Sequence, residues 1–223
     1  MTLLAQIRSG LRAVAEPARA APMQAYMKST MPYLGVTAPK LRAACKQLFA
    51  SYPFESAEAW RADVLDVWRT AKYREERYAA TELTGLRVAL GQLDALPLCR
   101  EIIVTGAWWD HVDGVSPRIG ALLRRHPAQL LPVISSWSTD PDRWLRRSAI
   151  ICQLAFRDST DVDLLAEVIV PNLSDREFFV RKAIGWALRQ YARTDPDWVR
   201  GFVAAHAGTI SPLSRREALK HLG

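Results

Sequence analysis

From residue 106 to 114 the chain reads Gly-Ala-Trp-Trp-Asp-His-Val-Asp-Gly, setting two indoles and two carboxylates within six residues. Trp109 and Asp113 are four apart, so on a helix they share a face. A fixed carboxylate can stabilise a developing positive charge or take a proton from water, and a flat indole beside it can cup a planar or cationic ligand. Near Trp186 the same chemistry recurs. Val180, Ile184, Ala187 and Leu188 make an apolar stripe, while Lys182, Trp186, Arg189 and Arg193 lie on the other side. An indole on a basic face either packs against a neighbouring helix or stacks on a ligand. Asp110 could join Asp113 as a second catalytic carboxylate, although capping or facing solvent is its simpler role. His111 should point away from this face, and His126, His206 and His221 lie at a helix end or near the C-terminus. No serine or cysteine has a histidine partner in its sequence context, no glycine-rich phosphate loop occurs, and no CxxC or HxxxH spacing offers a zinc site.

The elements that carry these residues read as helices. Start signals recur at Ser174…Glu177 and Ser214…Glu217, which have capping-box spacing, and at Asp140-Pro141 and Asp195-Pro196. Trp108 joins Val112, Val115, Ile119 and Leu122 in an apolar stripe and is expected in the core, with Pro117 able to kink that helix. No alternating β-branched run appears, so the expectation is an all-α protein of about a dozen short helices. The 223 residues suffice for one domain or one repeat array, with no linker to divide them. A net charge of +7 favours an acidic partner such as nucleic acid. The three cysteines are far apart and odd in number, which argues against a disulfide framework, and Asn172-Leu173-Ser174 is a sequon without meaning unless the chain is secreted. The amphipathic N-terminus is interrupted by Arg8 and Arg12, and no apolar run approaches the roughly 20 residues of a membrane span. A cytoplasmic protein is expected.

Arg-x-Ala occurs at Arg42, Arg77, Arg147, Arg181 and Arg216, in steps of 35, 70, 34 and 35 residues. Two-helix repeats of this length stack because no single pair buries its own apolar face, and the small alanine lets helices approach. The 70-residue gap should hold a missing member near residue 112. Sliding Trp144-Leu145-Arg146-Arg147-Ser148-Ala149 back by 35 lays Trp144 on Trp109 and leaves Asp113 one place after the arginine phase. A carboxylate should therefore interrupt a row of cations, which marks a site.

These strings resemble the bacterial DNA alkylation repair glycosylases of the HEAT-like repeat, AlkD type. The resemblance runs the length of the chain, through Ala21-Pro-Met-Gln-Ala-Tyr-Met-Lys28, Tyr33-Leu-Gly-Val36, residues 103–113, 144–150, 177–192 and 212–222. The Trp-Trp-Asp-x-Val-Asp and Lys-Ala-Ile-Gly-Trp strings are its most specific parts. It implies a single α-solenoid of about six HEAT-like two- or three-helix repeats over residues 1–223, with a basic concave surface that wraps duplex DNA. The activity it implies is excision of N3- and N7-alkylated purines, without a metal or cofactor and without flipping the lesion into a pocket. By motif, Asp113 is the catalytic carboxylate, Trp109 and Trp186 are aromatic walls, Arg147 is the nearby cation, and Tyr26 is an aromatic near the DNA. The segment Gly35-Val36-Thr37-Ala38-Pro39 departs from the family's pattern, which often has a polar residue ahead of Thr-Pro, so contacts to the strand opposite the lesion are not carried over.

The expected division of labour follows. Asp113 would stabilise charge on the deoxyribose and orient or deprotonate the attacking water. Trp109 and Trp186 would hold the sugar edge. Arg147 would hold a flanking phosphate, and Lys182, Arg181 and Arg216 would track the backbone. The expected partner is double-stranded DNA carrying alkylated bases, bound by a monomer at the nucleoid. The competing expectation is a non-catalytic HEAT-repeat module that binds DNA or an acidic protein.

Overall fold

The computed structural model describes residues 1–86 and 91–222, and among these it holds thirteen α-helices, two short 3-10 turns and no strand. The all-α expectation is borne out. The chain divides into two compact units, Met1–Leu98 and Cys99–Gly223.

The first unit contains α1 (Leu3–Ala13), α2 (Pro17–Met27), α3 (Ala38–Ser51), α4 (Ala57–Thr70) and α5 (Arg74–Leu83). Thr2 caps α1 by accepting from the Ala5 N–H, and Leu3, Ile7 and Leu11 then bury one stripe of it. Helix α1 packs on α3, α4 and α5. Trp60 and Trp68 are wholly buried, and Trp60 donates from Nε1 to the Leu83 carbonyl at 3.0 Å. The charged start of α5 is also buried: Glu75 has no exposure, and its carboxylate accepts from the backbone N–H groups of Leu34, Gly35 and Val36 at 2.9–3.0 Å. Those donors converge because Gly35 adopts φ +82°. A Cβ there would sit 2.0 Å from the Glu16 carbonyl oxygen, so only glycine fits.

Helix α6 (Ala95–Gly106) precedes the helices that carry the site, and the second unit goes on with α7 (Trp109–Arg125), α8 (Pro127–Ser138), α9 (Arg143–Ile151), α10 (Val162–Ile169), α11 (Phe178–Tyr191), α12 (Pro196–Ala205) and α13 (Pro212–Ala218). Helices α7, α9, α11 and α13 pack side by side in that order, with α8, α10 and α12 behind them. The front helices begin at Trp109, Arg143, Phe178 and Pro212, in steps of 34, 35 and 34 residues. Within this unit the spacing is thus a stack of two-helix repeats. Small residues set how closely the stack approaches. A Cβ on Gly120 of α7 would meet the Cys152 carbonyl oxygen at 2.3 Å, and one on Gly185 of α11 would meet Glu217 at 2.5 Å. Ala149, Ala183 and Ala218, the alanines of the Arg-x-Ala repeat, are buried as well.

Several local expectations change. Neither expected capping box forms. Ser211 caps α13, accepting from the Ser214 N–H at 3.0 Å, while Ser214 is buried inside the helix and donates to the Arg181 carbonyl. Glu177 is the N-cap residue of α11, and its side chain makes no capping bond. Asp195 caps α12 as expected, but α9 is capped by Asp142 rather than Asp140. A Ser-x-x-Glu pattern can also stand within a first turn, and Pro212 at N1 fixed where α13 begins. Pro117 is accommodated inside a continuous α7. Trp108 is not on the core stripe: it is the half-buried N-cap residue of α7, and its ring joins Trp144 and Phe179 at centroid distances of 6.1 and 5.4 Å.

Candidate active site

Asp113 and Arg147 are each the fifth residue of their helices, α7 and α9, so stacking sets them face to face. The repeat step there is 34 residues, and the one-place offset expected from a 35-residue slide disappears. Arg147 Nε donates to Asp113 Oδ1 and Nη2 to Oδ2, both at 2.8 Å, a bidentate pair. Its remaining nitrogen, Nη1, donates to the Phe179 carbonyl of α11 at 2.7 Å. One guanidinium therefore ties three consecutive front helices.

The phosphate-holding role expected for Arg147 falls on a residue already engaged within the protein. The residue is 5% exposed, and three of its five N–H groups are taken up by Asp113 and the Phe179 carbonyl. Its effect is exerted on Asp113. Burial pushes the Asp113 carboxyl above the ordinary aspartate range, and the hydrogen bonds and charge of Arg147 pull against that rise. The pair offsets part of what it costs to hold a carboxylate at a partly buried place.

Beside the pair is a cleft of about 550 Å³ whose walls include Asp113, Ser116, Cys152, Phe156, Trp186 and Gln190. Trp186 is half-buried, and the Arg147 guanidinium carbon lies 6.0 Å from its ring centroid and 6.0 Å from that of Phe179. The structure so brings Asp113, Arg147 and Trp186 together. Trp109, half-buried at the first position of α7 and one turn before Asp113, is not among the cleft's lining residues. Gln190, one turn after Trp186 on the same face of α11, was passed over in the sequence because an amide on a helix face carries no distinctive signal. Phe179 was missed because its contribution is a backbone carbonyl.

The expected backbone-tracking cations divide. Lys182 pairs with Glu217 of α13 at 3.1 Å, with its side chain 38% exposed. Arg189 engages the same carboxylate, and together with Lys182 it holds Glu217 below the ordinary range. Arg181 is half-buried with its Nε enclosed, whereas Arg216 is exposed on α13. Tyr26, in α2 of the first unit, is 78% exposed. Among the described residues, no group of three or more His, Cys, Asp and Glu is placed to hold a metal, and no helix is long and apolar enough to cross a membrane.

A half-buried carboxylate clamped by arginine beside an indole-walled cleft is set in a chain whose residues 7–222 match the DNA alkylation repair enzyme family. The chain belongs to that family. A solved structure described as a predicted DNA alkylation repair enzyme from Enterococcus faecalis is 32% identical, with 94% of this chain and 97% of that chain covered and a TM-score of 0.82. The structure of smu.31 from Streptococcus mutans UA159 shares the fold at 16% identity, with 82% of this chain and 92% of that chain covered and a TM-score of 0.63. No functionally curated protein matches the chain. Membership of the family supports a role in DNA repair, with DNA as the substrate.

Proposed function

We propose that this member of the family is an AlkD-type monofunctional DNA glycosylase. It hydrolyses the N-glycosidic bond of cationic N3- or N7-alkylpurines in duplex DNA and leaves an abasic site. The observation that carries this reading is the Asp113 carboxylate, oriented by Arg147 and facing the cleft walled by Trp186.

An alkylated purine of this kind already bears a positive charge. When the bond from C1′ to the purine nitrogen breaks, its electron pair goes to the base, which leaves neutral and needs no general acid. The positive charge passes to the deoxyribose ring. A carboxylate fixed in a poorly solvated place stabilises that charge without reorganising. Arg147 binds one edge of the carboxylate, leaving the other lone pairs of its oxygens for water. Water adds at C1′, and its proton passes to Asp113 and then to solvent. The Trp186 face favours cationic over neutral groups by about 0.5–2 kcal/mol. A base that departs without protonation needs no enclosing pocket, in keeping with an open cleft. The enzyme is proposed to act as a monomer on DNA in the cytoplasm.

The test is incubation with duplex DNA carrying one 7-methylguanine, followed by detection of free base and of the abasic site. Release by the wild-type chain above the spontaneous rate is the expected result. Salt-dependent binding of the duplex with no release would instead mark a non-catalytic DNA-binding module, and no binding at all would point to an acidic protein partner.

A further inference from the structure

The cleft beside Asp113 has two further walls that this chemistry does not use, Arg124 and Arg157. Arg124 stands in the last turn of α7, and its guanidinium carbon lies 4.0 Å from the Phe156 ring centroid. Its Nη2 also donates to the Ala155 carbonyl at 3.3 Å and to Ser159 Oγ at 3.2 Å. The guanidinium is thus held in place on an aromatic face, yet the residue is exposed. The segment beneath it is fixed too. Buried Gln153 accepts from the Asp161 N–H at 2.9 Å and donates to the Asp161 carbonyl at 3.0 Å.

Arg157 follows Phe156 in that segment with φ +53°, a left-handed conformation that glycine adopts freely and arginine does not. Both the Thr160 N–H and its hydroxyl donate to the Arg157 carbonyl, at 3.0 and 2.7 Å, and this fixes the strained turn. A long cationic side chain is therefore kept, exposed, where the backbone would be more relaxed without it. Elsewhere in the unit Arg147, Lys182 and Arg189 are each paired with a carboxylate. Among the described residues neither Arg124 nor Arg157 has such a partner.

Two arginines on one cleft, one guanidinium held on an aromatic face and the other side chain carried by a fixed turn, neither neutralised by a carboxylate, are donors for a phosphodiester oxygen pair. We infer that Arg124 and Arg157 clamp one backbone phosphodiester of the lesion strand in the cleft that Asp113 and Trp186 share. The inference rests on the glycosylase reading of that cleft. It replaces Arg147 with Arg124 and Arg157 as the residues that position the strand.

The experiment uses 7-methylguanine duplexes in which single phosphates around the lesion are replaced, one at a time, by neutral methylphosphonate. Binding and single-turnover base release are measured for wild type, Arg157→Gly and Arg124→Ala, with a thermal melt of each. Wild type should lose roughly tenfold in binding at one or two positions, as for a charge-assisted contact. Arg157→Gly should bind the unmodified-backbone duplex about as weakly as wild type binds the substituted one, and it should show no further penalty there. It should also melt at the same or a higher temperature, since the backbone strain is relieved. Arg124→Ala should erase the same positional penalty. A penalty that persists undiminished in both variants, no positional penalty in wild type, or a lowered melt for Arg157→Gly would overturn the clamp. Failure of wild type to release base from any of these duplexes, with the positional penalty intact and erased by the variants, would sink the glycosylase reading and leave the clamp standing.

Discussion

Each unit contains a carboxylate removed from bulk water, and the two are satisfied in different ways. Glu75 in α5 is fully buried and meets three backbone N–H groups of the 34–36 segment, each fixed by the chain itself. Asp113 in α7 has a side chain 19% exposed and meets a single side chain, Arg147, with a cleft on its other side. Backbone donors spend the whole carboxylate on holding a loop. An arginine fork occupies one edge and leaves other lone pairs of the group uncommitted beside the cleft. Burial alone does not make a carboxylate functional; what its free lone pairs face does.

The sharpest way to break the comparison is to delete the structural member. Glu75→Ala strands the N–H groups of Leu34, Gly35 and Val36, and should lower stability by about 3–5 kcal/mol. Chemical denaturation measures this, and a loss below about 1 kcal/mol would mean the loop is held by something else.

Asp113→Asn should lower single-turnover base release by on the order of 10²-fold. Because Arg147 is left buried without its counter-charge, the variant should also lose about 1–3 kcal/mol of stability. The double variant Asp113→Asn, Arg147→Met should recover much of that stability, since an apolar replacement removes the stranded charge, while release stays low. Release that recovered along with stability would make the pair structural, like Glu75.

Trp186→Ala should lower release roughly tenfold, the upper part of a cation–π contribution, with a small change in the melt. Trp144→Ala, at a residue 3% exposed, should instead destabilise by about 3–5 kcal/mol. The reverse order in the melts would put Trp186 in the core.

The smallest expected effect is on pH dependence. In the proposed chemistry Asp113 works ionised, and its carboxyl is raised above the ordinary value of about 3.9, so activity should fail on the acid side at a higher pH than for an ordinary aspartate. The limb should be flat toward neutral pH, and Asp113→Asn should abolish it once spontaneous release is subtracted.

Much of this was readable in the residues themselves. The helical stripes at Leu3, Ile7, Leu11 and at Val180, Ile184, Leu188 are buried as their period requires. The Trp109-to-Asp113 spacing does lie on one helix, and the alanines of the repeat do face neighbouring helices. What misled was phase. Aligning Trp144 with Trp109 assumed a 35-residue step, whereas α9 starts 34 residues after α7, and that single residue separates a carboxylate near an arginine row from one clamped by an arginine. Trp108 looked like core for a similar reason: the stripe it extends begins one residue before the helix does.

The sequence by itself determined the helices, their repeat and the faces they bury, because 3.6-residue periodicity and caps are local properties of the backbone. It also placed an acid and an indole one turn apart on one helix. Only the tertiary structure decided who pairs with whom. Arg147 reached Asp113 and the Phe179 carbonyl, and Lys182 reached Glu217, through contacts between residues 32 to 35 apart in sequence. Those pairings depend on the interaxial distance and register of stacked helices, which approach closely where Gly120 and Gly185 leave no room for a Cβ. Which cations stay free for a substrate is what remains after those pairings form.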